Sequence, residues 1–145
     1  MYNRSMRNTG VIKTLSLFAG GGGLDLGFSA AGFGVVLSTD IDPFSCRTLE
    51  YNQGKKKWYG KHPVVAEDVS RIDAAWLKKY GLRSGSIDFV IGGPPCQSFS
   101  IFGKRGGLKD PRGNLIWEYC RIIELAGPKG FLFENVAGLK TIHGG

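Results

Sequence analysis

Short apolar runs alternate with longer amphipathic stretches along this chain, and the two periods predict an ordered succession of strands and helices. Residues 12–18, ending Leu-Ser-Leu-Phe, read as a first strand; residues 19–33 follow as a glycine turn running into a helix that ends near Gly32. A second strand is predicted over 35–39. Asp42 and Pro43 then supply a cap and a first-turn proline for a helix that passes through Cys46, Leu49 and Tyr51 to about Gln53. A basic loop, GKKKWYGKH, leads to a short third strand over 63–67. Residues 73–80 predict a helix with Trp76, Leu77 and Tyr80 apolar, and residues 87–91 a fourth strand. A further helix spans 114–126, with Leu115, Tyr119, Ile122 and Ile123 at helical spacing, and a fifth strand spans 131–133 with Glu134 and Asn135 at its carboxyl end. Strict alternation with short loops predicts an α/β fold, a doubly wound and mostly parallel sheet.

One connection breaks the pattern. Residues 92–113 form a stretch far longer than ordinary loops. Its glycines at 103, 106 and 107 and the charges of Lys104, Arg105 and Lys109 suit a lid over a phosphate-rich substrate, or else a solvated basic loop. At its start, GGPPCQSFS places Cys96 just past a strand's carboxyl end, where ligands gather in open α/β sheets. Two glycines and two prolines make that turn unusual and stiff. Cys96 therefore reads either as a nucleophile or as a small buried filler.

The glycine turn, Gly20 to Gly23, offers backbone amides at a helix start, a ready anion site. No lysine follows it, which excludes a Walker-type phosphate loop, and Asp25 and Leu26 stand where the last glycine of G-x-G-x-x-G would fall. Asp40 lies at the end of the second strand, where an acid binds ribose in doubly wound folds. Glycine turn and acid together predict an adenosine-containing ligand; the alternative is a tight turn and a capping aspartate.

Composition narrows the partners. The 145 residues suffice for one domain, with a flexible tail over 1–11 and the folded part over 12–145. Lys and Arg exceed Asp and Glu by 19 to 12, a net charge of +7, which suits a polyanion such as nucleic acid. The three cysteines, Cys46, Cys96 and Cys120, have neither zinc nor disulfide spacing, so no metal is expected and a reducing cytosol is the natural compartment. No apolar run reaches membrane-spanning length, and the first residues lack a signal peptide's apolar core.

With these residues in view, FAGGGGLDLGF (18–28), TDID (39–42), EDV (67–69), GGPPCQSFS (92–100), DPRGNLIWEYCRII (110–123) and FENV (133–136) resemble, in order and spacing, the first six motifs of cytosine-5 DNA methyltransferases. The resemblance implies a Rossmann-like fold of the S-adenosylmethionine-dependent methyltransferase type and the catalytic, cofactor-binding part of a restriction-modification enzyme acting on double-stranded DNA. It implies that Cys96 is the nucleophile and Glu134 the acid at cytosine N3, with Pro95 and Asn135 positioning thiol and base. The apolar strand before Glu134 is expected to raise its pKa. Phe18, Ala19, Gly20, Gly22, Gly23 and Leu24 match the turn and helix start that hold the methionine end of the cofactor. Asp40, where the family commonly has Glu, matches the ribose ligand, Ile41 the adenine face, Asp68 and Val69 the adenine edge, and Pro94 and Leu115 the pocket wall. Gln97, Ser98, Ser100, Lys104, Arg105 and Arg112 are the expected substrate contacts.

Cys46 and Cys120 match no catalytic position and read as core thiols on apolar helix faces. His62 and His143 fit no family role. The family's Arg-x-Arg motif, target-recognition domain and late motifs have no counterpart here. They are expected from a longer chain or a second polypeptide, leaving the fifth strand as an apolar edge. The expected location is the cytoplasm, at the nucleoid. Two other readings stand beside this one: a tRNA cytosine-5 methyltransferase on the same scaffold, and a non-catalytic S-adenosylmethionine-binding module.

Overall fold

The computed structural model describes residues 10–57, 59–95 and 114–136. In chain order they form β1 (Ile12–Leu17), α1 (Gly23–Ala30), β2 (Phe33–Asp40), α2 (Pro43–Asn52), β3 (Val64–Ala66), a 3-10 turn (Val69–Arg71), α3 (Ala74–Lys79), β4 (Phe89–Gly92), α4 (Asn114–Ala126) and β5 (Gly130–Phe133). The strand order is β3-β2-β1-β4-β5, and every pair among the described residues is parallel. The chain thus builds the doubly wound sheet that its alternating pattern predicts.

The pleat of the strands sorts the side chains. Leu15 registers with Leu37 and Val90, and all three are buried in one apolar cluster with Leu77 of α3 and Tyr119 and Ile122 of α4. Burying each such side chain contributes about 1.5–3 kcal/mol. Ser16 registers with Ser38 and Ile91 and turns to the other face of the sheet. An irregularity between Thr14 and Leu15 leaves Val36 without a register partner and brings Leu37 opposite Leu15. Without that bulge the polar and apolar positions of β2 would exchange faces relative to β1.

Local chemistry sets the helices. Asp42 caps α2, its carboxylate accepting from the amides of Phe44 and Ser45, and Pro43 occupies the first turn. On α4, Tyr119, Ile122 and Ala126 are buried, whereas Trp117, Cys120 and Glu124 are exposed. The expectation that Cys120 is a core thiol is therefore corrected. It stands three residues after Trp117 and four before Glu124, a spacing that puts all three on the solvent stripe. Cys46 is buried, as expected.

β5 is an outer strand of the described sheet, and its Phe131 is 57% exposed. Among the described residues no helix is long and apolar enough to cross a membrane.

Gly92 ends β4 in a space that admits no side chain. A Cβ there would lie 2.7 Å from the Leu17 carbonyl oxygen and 2.8 Å from Tyr119 Cε2. Gly92→Ala is expected to destabilise the chain by about 1–3 kcal/mol through overpacking. Urea unfolding reads this directly, and a loss under about 0.5 kcal/mol would mean that the layers can part.

Candidate active site

β1 lies between β2 and β4, so the chain's crossovers leave it in opposite directions and open a crevice at the carboxyl ends of the strands. Leu17 registers with both Thr39 and Gly92, and Gly92 with Phe133. The segments that follow β1, β2, β4 and β5 therefore leave the sheet side by side. Residues from four distant motifs share one rim.

The turn after β1 is held by backbone geometry few residue types tolerate. Phe18 has φ 53°, Gly20 φ 54° and Gly22 φ 91°. For a phenylalanine this is strained, and such strain gathers at functional sites. Ala19 N–H donates to the Thr39 carbonyl at 3.0 Å, and Gly20 N–H to Asp40 Oδ2 at 2.8 Å. Asp40 Oδ1 accepts from the Asp42 amide at 2.9 Å. Asp40 thus ties the glycine turn to the start of α2, and each oxygen keeps a lone pair for a further donor. Gly22 caps α1 without a side-chain acceptor, which leaves first-turn amides as donors for an anion or for solvent.

The rim continues at the end of β3. Glu67 N–H donates to the Asp40 carbonyl at 2.9 Å. Glu67 itself accepts from the Asp68 amide at 3.0 Å and from Trp76 Nε1 at 3.2 Å. Asp68 Oδ1 accepts from the Ser70 amide at 2.9 Å. That amide, and then the Ser70 hydroxyl, hold the Asp68 carboxyl below the ordinary carboxylate range. Ile41 and Phe44, each 71% exposed, offer apolar surface at the start of α2. Val69 is buried, and Leu115 packs half-buried against the main core.

On the other side of β1, the Gly-Pro-Pro and Glu-Asn segments meet. Glu134 N–H donates to the Gly92 carbonyl at 2.9 Å, and Asn135 Nδ2 to the Pro94 carbonyl at 3.1 Å. A Cβ on Gly93 would sit 2.8 Å from Glu134 Oε2, so only glycine lets that carboxylate lie where it does. Glu134 is exposed, which corrects the expectation of apolar surroundings for its carboxyl: β5 is an outer strand on which Phe131 is exposed and Leu132 and Phe133 are only half-buried. Pro94 is buried and Pro95 exposed. Cys96, Gln97, Ser98, Ser100, Lys104, Arg105 and Arg112, and with them the expected lid, lie outside the described residues.

Sequence reasoning missed a buried polar network behind the glycine turn. Asp25 of α1, fully buried, accepts at 2.5 Å from the hydroxyls of both Ser16 and Ser38. Ser38 Oγ is also 2.8 Å from His62 Nε2, which lies 3.6 Å from Asp25 Oδ2. A serine hydroxyl has one proton, and Ser38 gives it to Asp25. His62 Nε2 therefore carries the proton of its contact with Ser38. Burial first, then the charge of Asp25, push the nearby Tyr59 hydroxyl up to about 12. The only local signal for this network was an aspartate among the apolar positions of a helix.

Comparison with known proteins adds the rest. The family model for C-5 cytosine-specific DNA methylase matches residues 12–144. The type II methyltransferase M.AquIA of Picosynechococcus sp. is 44% identical over 128 residues, 88% of this chain and 49% of that protein. The type II methyltransferase M.XorII of Xanthomonas oryzae pv. oryzae is 43% identical over 126 residues, 86% of this chain and 28% of that protein. A crystal structure from E. coli, described as a prophage-encoded DNA modification methyltransferase, superposes with a TM-score of 0.73 at 34% identity, over 90% of this chain and 34% of the other. The S. pombe Dnmt2 methyltransferase shares the fold, with a TM-score of 0.61 at 21% identity, over 91% of this chain and 36% of its own. The chain spans about half the length of M.AquIA and about a third or less of the other three.

Proposed function

The chain belongs to the C-5 cytosine-specific DNA methylase family, and from that premise we propose that it supplies the cofactor-binding and catalytic part of a DNA (cytosine-5) methyltransferase of a restriction-modification system. Its substrate is double-stranded DNA, met in the cytoplasm at the nucleoid, and it works together with a target-recognition part such as its longer relatives have room to carry. The observation that carries this reading is the meeting of two motifs. Asn135 bonds the Pro94 carbonyl at 3.1 Å, which holds the residues before Cys96 beside Glu134 and next to the glycine turn.

The rim fits S-adenosylmethionine. Phe18 to Leu24 present a strained turn and open helix amides for the methionine end, Asp40 retains acceptor capacity for ribose hydroxyls, and Ile41 offers an apolar face. Asp68 and Val69 would meet the adenine edge, and Pro94 and Leu115 would line the wall. When bound, the cofactor supplies an electrophilic methyl group. The protein's task is to make cytosine carbon 5 a nucleophile. With the base flipped from the duplex, the Cys96 thiolate adds to carbon 6, and the displaced C5–C6 electron pair becomes available at carbon 5. Glu134 holds a proton at N3 and so stabilises the charge that develops on the ring. After methylation, water takes the carbon 5 proton, the C–H electron pair re-forms the C5–C6 double bond, and the C6–S pair leaves with the Cys96 thiolate.

The test is covalent trapping. Fluorine at carbon 5 leaves no proton to remove, so elimination stops and the adduct persists. The chain, combined with the target-recognition part of a relative, is expected to form a covalent complex with 5-fluorocytosine duplex DNA only when S-adenosylmethionine is present, and peptide mapping should locate it at Cys96. An adduct elsewhere, or methylation of RNA with DNA ignored, would overturn the assignment. In the same assembly Glu134→Gln should slow methyl transfer by about a hundredfold, the scale of a lost positioned acid, with DNA affinity kept. A rate within about threefold of wild type would remove Glu134 from the mechanism.

A further inference from the structure

Arg121 turns both terminal nitrogens of its guanidinium to one loop. It projects from α4; its Nη1 donates to the Ile72 carbonyl at 2.7 Å and its Nη2 to the Val69 carbonyl at 2.9 Å, across 49 and 52 residues of sequence. Its Nε donates to Glu118 Oε2 at 2.7 Å, one turn back on the same helix. These two carbonyls bound the 3-10 turn Val69–Arg71, whose cap is the Asp68 carboxylate on the Ser70 amide. A short turn of this kind has two backbone bonds of its own, from the Arg71 amide to the Asp68 carbonyl at 2.9 Å and from the Ile72 amide to the Val69 carbonyl at 3.1 Å. The flat fork of an arginine reaches two carbonyls at a fixed separation; a lysine ammonium cannot impose that geometry. On the opposite side Glu67, itself braced by Trp76 Nε1, holds the Asp68 amide. The Asp68 carboxylate thus stands on a loop clamped from both ends.

We propose that Arg121 is a positioning residue for adenine recognition: by bridging the Val69 and Ile72 carbonyls it fixes the turn that aims the Asp68 carboxylate at the exocyclic amino group of the nucleoside. This rests on the reading above, in which Asp68 accepts from that amino group. Glu118 orients the guanidinium and is part of the same device. Each nitrogen of the guanidinium thus donates one bond within the chain.

The prediction is about discrimination, which a merely structural residue would not move. A carboxylate acceptor favours a 6-amino purine and repels a 6-oxo one, so the wild-type chain should prefer S-adenosylhomocysteine over S-inosylhomocysteine by at least about tenfold. Ligand-observed NMR at millimolar ligand measures both affinities on the chain as it stands. Arg121→Met, which keeps the apolar stem and loses both carbonyl bonds, should bring the preference to within about threefold of unity. Arg121→Lys should fall between. Amide exchange at Ser70, Arg71 and Ile72 should quicken in Arg121→Met, while Val90 and Ile91 in β4 stay protected. Undiminished discrimination in a folded Arg121→Met chain overturns the proposal, as does unchanged exchange over 70–72. A wild-type chain indifferent to the 6-substituent, with exchange over 70–72 still quickened by Arg121→Met, would overturn the adenine reading of Asp68 and leave the clamp as a fact of folding alone.

Discussion

A Cys96→Ser protein is expected to form no covalent product with 5-fluorocytosine DNA and to lose methyl transfer by at least about four orders of magnitude, the scale seen when an enzyme's nucleophile is removed. The reason is chemical. A thiol ionises within a few units of neutral pH and its thiolate is intrinsically nucleophilic, whereas a serine hydroxyl without a partnered base is neither. No other cysteine can stand in. Burial pushes the Cys46 thiol up, away from thiolate formation, and its Sγ faces the Asp40 carbonyl at 3.7 Å. Cys120 lies on the solvent stripe of α4 with Trp117 and Glu124. Cys46→Ser and Cys120→Ser should therefore trap DNA as wild type does. Trapping that survives Cys96→Ser in a competent assembly would show that the nucleophile is another residue.

The second large effect concerns stability. Asp25→Ala should cost about 2–6 kcal/mol, since each of two buried hydroxyls left without its acceptor costs about 1–3 kcal/mol. In a domain stable by only 5–15 kcal/mol on general grounds, that is a large share. The substitution strips the acceptor from two buried hydroxyls, Ser16 and Ser38, and leaves His62 without its carboxylate neighbour at 3.6 Å. Unmade hydrogen bonds in a dry interior carry the full desolvation cost of each group. Asp25→Asn keeps the shape and one carbonyl oxygen, so its loss should be about half as great. Urea unfolding with an unchanged m-value measures both, and a cost below about 1 kcal/mol for Asp25→Ala would mean that water or a neighbour satisfies the two serines.

The order of elements was legible because its signals are local. Apolar period, glycine and proline punctuation, and the Asp42–Pro43 cap each act within a turn or two of chain, and the helix expected over 114–126 is the helix found. Boundaries moved where distant contacts compete. β2 begins at Phe33, two residues earlier than its apolar run suggested, because Phe33 packs edge-on against Phe28 of α1 and Phe89 of β4. Cys120 was misplaced because cysteine is tolerated on either face of a helix, so its neighbours' phase had to decide.

By itself the sequence determined the alternating α/β architecture, the motif spacing that carries the family resemblance, and the identity of the residues at each strand's carboxyl end. These depend on side-chain period and backbone stereochemistry within a few residues of each other. Only the tertiary structure decided which of those ends adjoin. The order β3-β2-β1-β4-β5 puts Leu17 beside Thr39 and Gly92, and so assembles the rim. It also joined Asp25 to His62 and Arg121 to Val69, pairs separated by 37 and 52 positions in the chain. Nothing in a local pattern can specify such a pairing, because a buried hydrogen bond is fixed by which faces the sheet and helices bring together, and that is a property of the packed layers.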